Sequence, residues 1–246
     1  MTYQHHQDLH LTYSPERGYW HFMLYIEPPG HTGSAINAAQ QLDASASRYA
    51  AEWRDRLTLC APDALHVSLV TPDDAPKLWH PCVYDDPDSP SAIAGDGCVC
   101  WQTFRDPITW LPVAVHHYRT VTGKHEHWKY HTYAPLALPD GERLTTLIID
   151  REAHMVWART DRGTLHILPE KQAAGYGTGY HGSGPTELAR MIEKIVASDG
   201  YDAAPGTPNE LPADTVLKWT SSQAAAHTQE LTLHQLALLC RTGVVA

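Results

Sequence analysis

The chain of 246 residues has no Lys/Arg cluster and no long apolar run. Eighteen Lys and Arg stand against 28 Asp and Glu, for a net charge of −10. The densest basic stretch, Arg48, Arg54 and Arg56, is interrupted by Glu52 and Asp55. A nucleic-acid binder needs a patch that neutralises phosphates, so this balance argues against DNA or RNA as a partner. The longest apolar runs, such as Leu111–Val115, fall far short of the roughly 18 residues of a membrane helix. The start, "MTYQHHQDLH", lacks the basic and apolar regions of a signal peptide, which leads us to expect a soluble cytoplasmic protein with no membrane partner.

Several catalytic signatures are missing too. There is no C-x-x-C, no G-x-S-x-G and no H-E-x-x-H. The five cysteines, Cys60, Cys82, Cys98, Cys100 and Cys240, are odd in number and scattered, which fits free thiols in a reducing compartment. What the chain does have is 17 histidines, so its charge responds to pH near 6.5. With 43% hydrophobic and 19% charged residues it reads as globular.

Hydrophobic periodicity predicts an α+β fold with a mixed, mostly antiparallel sheet. "YWHFMLYIE" (Tyr19–Glu27) is a strand, closed by "PPG". Ile36, Ala39, Leu42, Ala46, Tyr49, Trp53 and Leu57 recur at three and four, predicting one long N-terminal helix from Ser34 to about Leu59, with Thr32 or Ser34 as its N-cap. "LHVSLV" (Leu65–Val70) follows as a strand. Residues 71–97, with five prolines and six aspartates, form a loop. Strands are then expected at Cys98–Phe104, Ile108–Arg119 and His125–Tyr133, the last two joined by a turn at "TVTGK". Leu144–Ile149, His154–Arg159 and Thr164–Leu168 predict a three-stranded β-meander. It is packed by two C-terminal helices, one from Pro185 to about Asp199 and one closing the chain before Gly243, with "TVLKWT" between them as a short strand or helix start. A break at Ala137–Gly141 suggests two domains, 1–138 and 139–246.

Between meander and helix lies a glycine-rich loop, "AGYGTGYHGSGP" (Ala174–Pro185). A phosphate-binding loop needs Lys and Ser/Thr after its last glycine; here Pro185, Thr186 and Glu187 follow Gly184. With Gly184 as N-cap, Pro185 takes the first helical position and Glu187 the third, where its carboxylate faces the free N–H groups and repels phosphate. The loop therefore reads as structural, with no ligand.

The same stretch, at Gly179, Tyr180, Gly182, Ser183, Gly184, Pro185, Leu188 and Ala189, resembles the box W-G-Y-G-G-S-G-P-x-x-L-A-x-x-I of a small bacterial domain family of unknown function. Thr178 replaces the family's Trp, and His181 a common glycine. The resemblance covers residues 143–246, including Lys218 in "VLKWT" and the helix after Leu231, and implies a fold unit without an activity.

Two constellations carry candidate chemistry. The order strand, "PPG", helix, H-x-S strand resembles the 2H phosphoesterase family, in which two H-x-[S/T] motifs supply acid–base histidines and phosphate-binding hydroxyls. His66 and Ser68 would be one half, sharing a strand face as i and i+2. His10, His131 and His181 are the candidates for the other histidine; His131 stands at the expected distance, although Thr132 and Tyr133 follow it directly. The second constellation is "VHHYRTVTGKHEHWKYH". A turn at Thr122–Gly123 sets Lys129 opposite His116 and His127 opposite Tyr118, and puts His125, His127 and His131 on one side, joined by His116 across the pair. Such imidazoles could hold zinc or iron, although Lys129 in their midst repels a cation. No complete catalytic set emerges, so the leading expectation is a binding or accessory protein without a cofactor. A 2H-like phosphodiesterase acting through His66, Ser68 and His131, and a metal-bound hairpin at His116, His125, His127 and His131, are the alternatives.

Overall fold

The computed structural model describes residues 7–14, 19–26, 39–71, 74–79, 98–119, 125–170, 175–205 and 211–245. The chain is α+β, and its strand pairs are antiparallel in three sheets. The first is a hairpin of β1 (Gln7–Ser14) and β2 (Tyr19–Ile26). The second has the order β3-β7-β6-β5-β4, from β3 (Ala39–Leu42), β4 (Thr58–Leu59), β5 (Cys98–Arg105), β6 (Pro112–Arg119) and β7 (Glu126–Tyr133). The third has the order β10-β9-β8-β11. It contains the expected meander, β8 (Leu144–Asp150), β9 (Met155–Thr160) and β10 (Leu165–Ile167), plus β11 (Gln229–Thr232) at its edge.

The long N-terminal helix is corrected. Ala39–Leu42 pairs with β7, and the helix over this stretch is α1, Arg48–Asp55. Side chains between them compete with helical hydrogen bonding. Asp43 accepts from the backbone N–H and the hydroxyl of Ser45, and Ser47 caps α1 by accepting from the Ala50 N–H. The proposed caps Thr32 and Ser34 lie outside the described residues. The strand expected at Leu65–Val70 is corrected as well. Asp63 accepts from the N–H groups of Leu65 and His66 and starts a single helical turn, α2 (Ala64–Val67). "TVLKWT" resolves as helix α4 (Asp214–Thr220).

Strand alternation sorts the side chains into layers. On one face of the third sheet, Leu147, Ile149, Val156 and Ala158 pack beneath α3 (Ser183–Ala197), α4 and α5 (Leu233–Thr242). Its other face, with Ile148, Met155 and Trp157, meets Val113, Val115 and Tyr130 of the second sheet, together with Trp53 of α1. This shared core draws on both sides of the Ala137–Gly141 break. Asp150, 1% exposed, ties the layers together. Its carboxylate accepts from Ser47 Oγ at 2.5 Å, Trp157 Nε1 at 3.0 Å and the Ala153 N–H at 3.2 Å. The second sheet's remaining face points away from this core, covered in part by α2 and by a 3₁₀ turn, Ala75–Trp79.

The glycine loop starts α3 two residues earlier than the sequence suggests. Gly182 is the N-cap, and Glu187, beyond the first turn's free N–H groups, pairs with Arg190 at 2.5 Å. The glycines make room for neighbours. A β-carbon on Gly177 or Gly184 would lie 2.4 Å from the Tyr180 hydroxyl, and one on Gly179, whose φ is +83°, would lie 2.6 Å from Ala226 Cβ. The loop is wound around the Tyr180 ring and against the turn after α4.

Candidate functional site

Pairing places the histidines. The register of β6 and β7 is the one expected from the turn: His116 stands opposite Lys129, and Tyr118 opposite His127. The turn itself lies outside the described residues. Strand β5 adds Trp101 opposite His116. Positions 101, 116, 118, 127, 129, 131 and 133 therefore fall on the outer face of the second sheet.

On that face the rings form a row. The Trp101 and His116 centroids are 4.7 Å apart with planes at 25°, and His131 approaches Trp101 at 5.3 Å. His116 meets His127 edge-on at 5.7 Å, and His127 stacks on Tyr118 at 5.0 Å. Leu78 and Ala114 bury Trp101 to 6% exposure, and its indole Nε1–H has no partner among the described residues. The row thus has a buried floor at Trp101 and an open end at Tyr118, His127 and Lys129.

Burial sets the charge. It pushes His131 down to about 4, helped by its neighbours His116 and Lys129. Burial also lowers His116, with His127, Lys77 and Lys129 acting the same way and Asp74 opposing. Both are neutral imidazoles at neutral pH. The ring nitrogens of His116, His127 and His131 take no hydrogen-bond partner among the described residues. Asp74 is held by Lys77 at 2.7 Å and by the Thr71 hydroxyl at 2.8 Å. Lys129 is exposed and pairs with no described carboxylate.

The other sequence candidates are dispersed. His125 lies one residue before β7, in an exposed position. Among the described residues no group of three or more His, Cys, Asp or Glu is arranged to hold a metal ion. His66 is 0% exposed in the turn of α2, with Nδ1 2.8 Å from Asp63 Oδ1 and Nε2 2.9 Å from the Phe104 carbonyl. Its nearest thiol, Cys60 at 3.7 Å, is pushed up by burial. Ser68 is directed elsewhere: its hydroxyl donates to the Leu65 carbonyl and lies 2.7 Å from the Tyr133 hydroxyl. The H-x-S pair therefore has no strand to share a face of, because Asp63 caps that segment into a helical turn. His10 sits in β1 opposite Met23, and His181 is exposed in the glycine loop.

Trp101, Asp74 and Lys77 escaped the sequence reading. The signal for Trp101 was its register against His116, which depends on the length of the connection between β5 and β6. For Asp74 and Lys77 the aspartate-rich loop gave none.

The chain matches no protein-family model, no curated protein and no solved structure at a significant level.

Proposed function

We propose that this is a cytosolic, non-enzymatic binding protein whose ligand is a planar aromatic small molecule bearing an anionic group, seated on the outer face of the second sheet. The observation that carries this reading is the row of His131, Trp101, His116, His127 and Tyr118, in which three imidazoles keep their ring nitrogens unpartnered among the described residues. Imidazoles along a sheet face stack on a flat ring and exchange hydrogen bonds with its edge. Lys129, which pairs with no carboxylate among the described residues, supplies the charge for the anionic group. A chemical step is not part of this reading, because among the described residues no nucleophile with a base in reach lies along the row. The C-terminal part, 139–246, with its box resemblance, serves as the scaffold behind the sheet.

The test is calorimetric titration with benzoate, an indole carboxylate and a purine nucleotide, with cyclohexanecarboxylate as the non-aromatic control. One or more of the aromatic anions bind and the control does not. Lys129→Gln weakens the binding about ten-fold, equivalent to about 1.4 kcal/mol, and Trp101→Leu abolishes it. Equal binding of the control, or no binding of any aromatic anion, refutes the reading.

A further inference from the structure

Strand register gathers nitrogen-bearing side chains around one point of the second sheet's outer face. Lys129 stands opposite His116 on β6 and between His127 and His131, each two residues away on β7. Gln41 of β3, exposed, stands opposite His131 at the sheet edge. Directly opposed side chains on a sheet face start about 5 Å apart, and positions i and i+2 roughly 6.5 Å apart. One tetrahedral anion spans such gaps, because donors about 2.8 Å from its oxygens can approach its centre from several sides.

Charge on this face runs against that of the whole chain, which is −10. The charged and titratable groups that act on His116 and His131 are Lys77, Lys129, His127 and the two imidazoles on each other, against one carboxylate, Asp74. Asp74 is held by Lys77 at 2.7 Å and by the Thr71 hydroxyl at 2.8 Å. Lys129 is exposed and keeps its positive charge without a carboxylate among the described residues. Arg105 shares the outer face only at the far end of β5, two alternate positions beyond Trp101, and is paired with Asp63.

The donor types discriminate between anions. A carboxylate is flat, has two oxygens and is met best by the parallel N–H pair of an arginine. A phosphate monoester carries close to two negative charges near neutral pH and three free oxygens in a tetrahedral array. Around Lys129 the donors are separate points: one ammonium and an N–H from each imidazole, with the Gln41 amide at the edge. Resting on the proposed seat for an aromatic anion, we infer that the anionic group of the ligand is a phosphate monoester, held by Lys129 with N–H donors from His116, His127 and His131. The ligand class is then an aromatic monophosphate.

The test is calorimetric titration of the unaltered full chain at about pH 7.5, where the monoester is a dianion. The ligands share one ring and differ in the anionic group: phenyl phosphate, methyl phenyl phosphate, phenyl sulfate and benzoate. Phenyl phosphate is expected to bind about ten-fold tighter than each of the other three, which carry a single charge. Lys129→Gln should remove most of that gap, and His127→Phe, which keeps a ring beside Tyr118, should narrow it. Benzoate or phenyl sulfate bound as tightly as phenyl phosphate overturns the inference and leaves the aromatic-anion reading standing. A gap that Lys129→Gln leaves unchanged overturns it too. If none of the four binds, the inference falls, and titration with the indole carboxylate then decides the reading beneath it.

Discussion

Trp101 and His116 stand opposite each other on β5 and β6, ring over ring at 4.7 Å, and every other ring of the row is placed relative to that pair. Because Trp101 packs with Leu78 and Ala114 and stacks on His116, removing the imidazole opens the floor of the row. His116→Ala is expected to lose about 1–2 kcal/mol of stability in denaturant unfolding. His116→Phe, which keeps a flat ring, is expected to lose less.

The pH dependence follows from the lowered histidines. His131 is held at about 4 in the fold against 6.5 when free, and His116 and His166 are also lowered, chiefly by burial. Between those limits the unfolded chain binds protons that the folded chain does not, so stability is full above about pH 6.5 and falls as the pH drops toward 4. The groups around His131 and His116 are His127, Lys77 and Lys129, which add to the fall, and Asp74, which opposes it. Melting temperatures measured across this range should decline less steeply in His131→Leu than in the parent chain.

Asp150 joins α1 to the third sheet through Ser47 and Trp157. Asp150→Ala leaves the buried Trp157 indole N–H and Ser47 hydroxyl without that acceptor. The expected loss is about 2–4 kcal/mol, read from the urea midpoint. Ser47→Ala should lose less, since it leaves Trp157 bonded.

In the glycine loop two substitutions should behave differently. Gly177→Ala meets the Tyr180 ring first, so Tyr180→Ala should restore most of the lost stability. Gly179→Ala meets Ala226 and a positive φ, so it should lose about 1–3 kcal/mol whether or not Tyr180 is present. Thermal unfolding of the single and double variants separates the two.

Much of the architecture was readable from residue patterns. The meander, the closing helix with Gly243 left-handed at its end, and the register of His116 against Lys129 all follow from alternation and turn spacing. The failures have local causes. Between Ala39 and Leu57 the three-four spacing of small and apolar residues is shared by a strand, a turn and a helix in succession, and the Asp43 and Ser47 side chains decide where one gives way to the next. At Leu65–Val70 the apolar, valine-containing composition reads as a strand, yet Asp63, two residues upstream, caps a helical turn. The pairing of β11 with β8 joins residues about 80 apart and left no local mark. The histidines of the row were visible in the sequence; Trp101 was not, because only tertiary pairing brings it beneath them.

The most direct test of the account is histidine ring-carbon NMR during titration with the tightest-binding aromatic anion. The account predicts that the signals of His116, His127 and His131 move together and saturate, while those of the buried His66 and His166 stay in place. If the three signals remain still, or if His66 and His166 move equally, the ring row is not the binding site.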